Sequence, residues 1–472
     1  MSQNQNTVRT TCPYCGVGCG VLVSKGPEGI TLAPDPDHPA NLGRLCSKGS
    51  ALAETVDPQG RLLQPLVNGQ PADWDTALDL TSRRFSEIIE QHGPDSVAFY
   101  VSGQLLTEDY YAANKLMKGW IGSANIDTNS RLCMSSAVAA HKRAFGTDTV
   151  PCSYEDLERA RLVVLAGSNT AWCHPVLYQR LLAARKSHPD QRVVLIDPRR
   201  TASADIADLH LPIRPGTDAW LWNGLLVQLA ERGEANPLYL QFVEGSDAAL
   251  EAARKSSPDI ATVARICGLD EARLAEFYDL WCRTERVVSV FSQGMNQSSS
   301  GTDKGNAQIN CHLYTGRIGR PGMGPFSFTG QPNAMGGREV GGLANQLAAH
   351  LEIDNPEHRE LVQTFWQSPH MPEQPGLKAV DMFRAIREGR IKALWVMATN
   401  PAVSLPDADG VREALSRCEF LVVSDCIHPT DTTRLADVVF AAQTWGEKNG
   451  MVTNSERRIS RQRAFMEAPG EA

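Results

Sequence analysis

Six short apolar runs punctuate the chain: 96–101 (SVAFYV), 162–166 (LVVLA), 193–196 (VVLI), 287–291 (VVSVF), 393–397 (ALWVM) and 420–424 (FLVVS). Each is continuous rather than alternating and too short for a core helix, which predicts strands buried on both faces. Between them apolar positions recur with a helical period, as in 74–91, 175–187 and 219–232. Strands alternating with helices predict an α/β fold of parallel sheets joined by crossover helices. No tandem repeat is present, but two segments are alike in kind. Residues 162–169 and 394–400 each run from a strand into a turn ending in asparagine. Each is followed by another strand that ends in aspartate, Asp197 and Asp425. This pairing predicts two nucleotide-binding halves.

A length of 472 residues suits roughly three domains. The composition, 42% apolar and 21% charged, is that of ordinary globular cores. A net charge of -8 argues against bulk nucleic-acid binding. No apolar run approaches the ~18 residues of a membrane-spanning helix. Residues 1–11 are polar, with neither an apolar leader core nor a twin-arginine pair, and a cysteine cluster begins at Cys12. A cytoplasmic protein without a signal peptide is the expectation.

Four of the 12 cysteines fall early, Cys12, Cys15, Cys19 and Cys46, with the spacing C-x2-C-x3-C-x26-C. Gly16, Gly18 and Gly20 let that loop fold tightly. Zinc prefers two paired hooks. Three bunched thiols and one remote thiol better suit an iron–sulfur cube with one ligand per iron, although a zinc knot stays open on spacing alone. Lys48 is either a solvated surface lysine or a cation set between the cluster and a second buried cofactor. Most other cysteines read as small core residues. Cys133 differs: the polar turn 127–132 delivers it just ahead of a helical run at 137–145. A thiol near a helix N-terminus is biased toward thiolate, which makes it a candidate metal ligand or nucleophile beside the plainer reading of a buried structural thiol.

Ligands of doubly wound sheets bind beyond the carboxyl ends of the strands. Gly167, Ser168 and Asn169 could bring backbone N–H groups to a pyrophosphate, and Asp197 could accept from a ribose or a guanine. For either segment alone, an ordinary turn with a capping aspartate is the better explanation. The G-x-G-x-x-G fingerprint of nicotinamide sites is absent. The stretch 316–342 is rich in glycine yet also holds arginine, glutamine and aromatic residues. That predicts a long ordered loop lining a large ligand rather than a linker.

Together these features resemble the catalytic subunit of molybdopterin-dependent oxidoreductases, and within them the assimilatory nitrate reductases. The resemblance rests on TCPYCGVGCG, LCSKG, SGQLLTEDYYAANKLMKGWIGSANIDTNSRLCMSSAV, AGSNTAWCHP, LIDPRRTASADIADLHLPIRPGTDAWLWNGLL, QGMNQSSSGTDKGN, TGQPNAMGGREVGG and WGEKNGMVTNSERR. It implies a small iron–sulfur domain (1–56, with part of 444–472 packed on it) and two Rossmann-like domains. One is discontinuous (57–150 and 335–443) and the other is 151–334. The implied cofactors are a [4Fe-4S] cluster on Cys12, Cys15, Cys19 and Cys46 and a molybdenum bis(molybdopterin guanine dinucleotide) whose metal takes Cys133. Lys48 matches the lysine between cluster and pterin, and Gln104 and Asn129 match positions lining the cofactor. Gly167, Ser168, Asn169, Asp197 and Arg199 match one guanosine-diphosphate site, which Gly216 and Asp218 extend. Gln293 and Gln297 flank the centre, beside Gly330 and Gln331 of the glycine-rich stretch. Asn400, Ser424, Asp425 and Lys448 match contacts to the second dinucleotide.

Two local choices bear on the substrate. Similar formate dehydrogenases follow the metal-binding residue with histidine, where Met134 stands here, and place arginine before the glycine-glutamine pair, where Thr329 stands. Both replacements favour nitrate, reduced to nitrite by oxygen-atom transfer. Electrons would arrive singly through the cluster from a ferredoxin, a flavodoxin or a nicotinamide-linked subunit. A formate dehydrogenase and a non-catalytic electron-carrier subunit of the same fold are the alternatives. The resemblance also implies a further C-terminal domain closing over both dinucleotides, whereas this chain ends at Ala472.

Overall fold

A strand that is apolar on both faces is satisfied only inside a sheet covered by helices on each side. The computed structural model describes residues 7–27 and 29–472. Residues 1–6, on which the expectation of a missing leader partly rests, and Glu28 lie outside the described residues. Five strands form one wholly parallel sheet. Their order is Leu209–Leu211, Arg192–Ile196, Leu162–Ala166, Val287–Phe291, Gly324–Ser327. The winding reverses between Leu162–Ala166 and Val287–Phe291, so the crevice beyond these two strands is the switch point of a doubly wound sheet.

A second sheet runs Gln70–Pro71, Leu66–Val67, Val438–Ala441, Phe420–Asp425, Ala393–Met397, Val97–Val101, Ile126–Thr128. Its last five strands are parallel and the first two form an antiparallel edge. Its winding reverses between Val97–Val101 and Ala393–Met397. Both sheets are therefore of the doubly wound type expected from the alternation of strands and helices. Helix boundaries follow local chemistry. Asp73 caps Trp74–His92 by accepting from the Thr76 N–H at 2.7 Å, and Gly93 ends it in a positive-φ conformation. Pro175 opens Pro175–Ser187 at the one turn where its missing N–H costs nothing.

The amino-terminal strands Thr7–Thr11, Gly20–Gly26 and Gly29–Pro34 form a small antiparallel sheet. The hairpin Gly450–Thr453 and Ile459–Gln462 lies against it. The Arg463 N–H donates to Thr10 Oγ1 at 2.9 Å, and the Arg463 guanidinium reaches the Arg9 carbonyl at 3.0 Å.

Two expectations are corrected. The helix expected at 137–145 spans Ser130–Phe145, so Cys133 lies in its first turn rather than ahead of it. Its polar first turns stay helical because their hydroxyls find partners. Ser130 donates to Gln331 Oε1 at 2.9 Å and Ser136 to the Asn296 carbonyl at 2.8 Å. The stretch 316–342, expected as one long loop, contains the edge strand Gly324–Ser327 and the short helix Ala334–Glu339.

That short helix is tied to the end of the Cys133 helix by a buried ion pair. Arg338 Nε donates to Asp148 Oδ2 at 2.6 Å and a second N–H reaches Oδ1, with both side chains almost fully buried. Burial alone would raise the Asp148 carboxyl. Arg338 and its hydrogen bonds outweigh burial and hold it well below the ordinary carboxylate range. Asp148→Asn would leave a buried guanidinium unpaired and is expected to cost ~3–5 kcal/mol. A carboxyl depressed in the folded state contributes fully above its unfolded pKa of ~3.9 and loses that contribution as pH falls below it. The gap between wild type and Asp148→Asn in apparent thermal midpoint should hold from neutral pH to about pH 5 and narrow below about pH 4. A gap unchanged down to pH 3 would contradict the ion pair.

Candidate cofactor-binding site

Residues 12–19 link the first two strands of the small sheet. The Cys12 N–H donates to the Cys19 carbonyl at 2.8 Å and the Gly18 N–H to the Cys15 carbonyl at 3.2 Å, which rolls the loop into a tight knuckle. Cys46 comes back from a later loop as the residue before the helical turn Ser47–Ser50. The four thiols stand in one another's electrostatic fields. Burial pushes Cys12 up to about 12, raises Cys15, and raises Cys19 strongly. Lys48 is exposed on the short helix, with its ammonium 5.9 Å from the Tyr14 ring centre and its field on Cys12 and Cys15.

Among the described residues, no three His, Cys, Asp or Glu side chains converge closely enough to hold a single metal ion. Four thiols in one electrostatic field, three on one knuckle and one from a later loop, offer the donor set of an iron–sulfur cube.

Gly16, inside the knuckle, is the point where four segments meet. Its N–H donates to the Gly330 carbonyl at 2.8 Å. Its carbonyl accepts from the Ser455 N–H at 2.8 Å and from the Tyr154 hydroxyl at 2.9 Å. A methyl group at Gly16 would stand 2.0 Å from the Thr329 carbonyl oxygen, so only glycine admits this approach.

The same turn, 329–331, meets Cys133 on its other side. A Cβ at Gly330 would lie 3.9 Å from Cys133 Sγ. Gln293, just past the strand Val287–Phe291, donates from Nε2 to Cys133 Sγ at 3.1 Å. The helix N-terminus does not set the state of this thiol as expected from sequence. Burial raises its pKa and outweighs the lowering by Gln293, the Gly330 N–H and the charge of Arg338. Met134 turns away into the core; its sulfur accepts from Asn296 Nδ2 at 3.3 Å. Gln297 is exposed and donates to the Leu132 carbonyl at 2.9 Å.

Both switch points carry residues singled out from the sequence. At the seven-stranded sheet, Asn129 joins the two reversing strands. Its Oδ1 accepts from the Gly103 N–H at 2.9 Å and its Nδ2 reaches Thr399 Oγ1 at 3.4 Å. Gln104 beside it is exposed. At the five-stranded sheet, the Gly294 N–H donates to the Gly167 carbonyl at 3.0 Å, and a Cβ on either glycine would collide with the other. Ser168 and Asn169 follow, with Asn169 Oδ1 accepting from Ser203 at 3.0 Å. Asp197 ends the next strand and accepts the Arg199 N–H at 2.9 Å, leaving the Arg199 side chain exposed.

Gly216 has φ of 92° with open space where a side chain would project. Asp218 is engaged in a buried ion pair with Lys304 at 2.8 Å. Around the second sheet, Asn400 Oδ1 accepts from Thr432 at 2.6 Å and Ser424 Oγ from Trp395 Nε1 at 2.9 Å. Burial raises the Asp425 carboxyl. Lys448 pairs with Asp109 at 3.0 Å. The sequence reading gave Gly16 a part only in the tightness of the cysteine loop, and did not single out Tyr154, Ser130, His174 or Arg338. Ser130, His174 and Arg338 lie inside quoted motifs, but nothing in the spacing around Tyr154 marks it.

The profile of the Molybdopterin oxidoreductase family matches residues 61–472, and that of the Molybdopterin oxidoreductase Fe4S4 domain matches residues 5–58. The chain is 57% identical to a nitrate reductase of Klebsiella oxytoca, over 98% of this chain and 53% of that protein. It is 51% identical to a nitrate reductase of Shewanella frigidimarina, over 99% and 51%. A periplasmic nitrate reductase of Desulfovibrio desulfuricans is 36% identical over 98% and 64%. The chain thus spans about half the length of the first two of these curated relatives. Acetylene hydratase from Pelobacter acetylenicus has the same fold, with a TM-score of 0.77 at 19% identity over 98% of this chain and 67% of that one. With both profiles matching nearly end to end, the chain belongs to the molybdopterin oxidoreductase family and carries that family's Fe4S4 domain.

Proposed function

We propose that this chain houses the redox centre of a nitrate reductase. Cys12, Cys15, Cys19 and Cys46 hold the [4Fe-4S] cluster, and Cys133 joins a bis(molybdopterin guanine dinucleotide) in holding molybdenum. The observation that carries the reading is the turn 329–331, which meets the cysteine loop through Gly16 on one side and stands beside Cys133 on the other. Identity of 57% to a nitrate reductase supports nitrate as the substrate. When bound, the molybdenum cofactor supplies oxygen-atom transfer, which with two electrons and two protons turns nitrate into nitrite and water.

The chain's own residues hold and tune. Cys133 offers a soft sulfur ligand, and the Gln293 N–H on that sulfur withdraws charge from it. The charge of Arg338, itself paired with Asp148, adds a small lowering at Cys133 and so favours its thiolate. Lys48 extends a cation beside the cysteine loop, where it favours electron passage to the pterin. Asn129, with Gln104 and Gln331, lines the seam between the sheets. The 167–169 turn with Asp197, Arg199, Gly216 and Asp218 takes one guanosine diphosphate, and Asn400, Ser424, Asp425 and Lys448 take the other. The domain limits 1–56, 57–150 with 335–443, and 151–334 follow from the same reading. A ferredoxin, a flavodoxin or a nicotinamide-linked subunit delivers the electrons. Among the described residues no helix is long and apolar enough to cross a membrane. A cytoplasmic place belongs to the same reading, and recovery of the activity in a periplasmic fraction would overturn it.

Two variants of the holoenzyme test this reading. Cys19→Ala should lose the iron–sulfur electron paramagnetic resonance signal, because three thiolates hold a cube poorly. Anaerobically purified protein containing stoichiometric zinc and no iron would sink the cluster assignment. Cys133→Ser exchanges a soft ligand for a hard one of similar size. Molybdenum and iron contents should stay near wild type while nitrate turnover per molybdenum falls by orders of magnitude. A structural thiol would behave oppositely, costing ~1–3 kcal/mol of stability with turnover per folded molecule intact.

A further inference from the structure

His174 lies between the switch-point turn of the five-stranded sheet and the helix Pro175–Ser187. Its backbone precedes Pro175 and stays outside the helical region, with φ of -136° and ψ of 61°. The ring is fully buried and packs on Phe328 with centres 5.2 Å apart. Its Nε2 is 2.9 Å from the Thr329 carbonyl oxygen. A carbonyl only accepts, so Nε2 carries the proton. The same carbonyl is the group that a side chain at Gly16 would strike. Nδ1 is equally buried and has no partner in the protein. Burial pulls the ring down to about 4, so at neutral pH Nδ1 is a bare lone pair. The charge of Lys48 reaches this ring as well as Cys12 and Cys15.

We propose that His174 is a positioning residue of the redox centre. Its Nε2–H tethers the Thr329 carbonyl and so fixes the turn 329–331 between the cysteine loop and Cys133. The inference rests on the proposed function, because it needs a redox centre whose spacing the turn sets.

The test compares His174→Leu, His174→Gln and His174→Asn in the holoenzyme. His174→Leu should keep its iron content and cluster signal. Its molybdenum(V) resonance should shift, and kcat for nitrate should fall up to ~10²-fold with KM little changed, as a displaced turn misplaces the reacting centre. Glutamine carries an N–H to the place of Nε2 and should recover most of the turnover. Asparagine is too short to reach Thr329 and should resemble leucine. A wild-type molybdenum signal and kcat in His174→Leu would overturn the proposal, as would a glutamine variant no better than leucine. Should the leucine variant fail to fold, the ranking of glutamine above asparagine carries the test, and the reverse ranking overturns it. Wild-type holoenzyme without molybdenum or nitrate turnover would instead overturn the proposed function, before any variant is made.

Discussion

The structure turns on one backbone contact. The Gly16 N–H meets the Gly330 carbonyl at 2.8 Å, with no room for even a methyl group between Gly16 and Thr329. A side-chain contact could shift by a rotamer; this one cannot, because both partners are main chain. Gly16 also accepts from Ser455 and Tyr154, so the carboxy-terminal hairpin region and the helix Tyr154–Arg159 are registered to the same point. The distance from the cysteine knuckle to Cys133 is thereby set by peptide geometry. In the proposed function electrons cross this gap, and a rigid spacer suits a transfer that depends steeply on distance.

The two doubly wound sheets build the remaining walls by the same logic. Each reverses its winding once, and each reversal leaves a crevice at the carboxyl ends of two strands. The Cys133 helix starts from the crevice of the seven-stranded sheet, just after Asn129. Its thiol ends beside Gln293, which belongs to the crevice of the five-stranded sheet. Asp127 supports this passage from below. It pairs with Arg131 at 3.0 Å and accepts from the Ala379 N–H at 2.7 Å. Lys118, fully buried, donates to the carbonyls of Gly341, Leu343 and Gln346 and fastens the segment that follows Arg338. Buried charges around the centre are thus matched by specific partners.

The strands were legible because a strand buried on both faces has one chemical solution, a continuous apolar run. The reading placed 162–166, 287–291 and 393–397 with the limits observed. The first turns of the Cys133 helix were not legible. Serines and an arginine at 130–136 read as a turn, since their partners Gln331, Asn296 and Asp127 are remote in sequence or belong to other elements. The edge strand Gly324–Ser327 hid for a related reason. Glycine and proline weaken strand signals, and its pairing with Val287–Phe291 is tertiary. Tyr154 left no trace because its role lies in one hydroxyl aimed at a distant carbonyl.

In the proposed function, substrate choice rests on what stands at Thr329 and Met134. Neither side chain is exposed. Thr329 turns its hydroxyl to Met335 at 3.4 Å and Met134 lies in the core. They act by what they leave out: no cation projects from the 329 position and no imidazole from the 134 position. Arg338, which adds a small lowering at Cys133, is paired with Asp148 and so fixed in place. On that proposed reading the centre can change substrate by exchanging few side chains, because its spacing is carried by the Gly16–Gly330 contact, which those exchanges leave untouched.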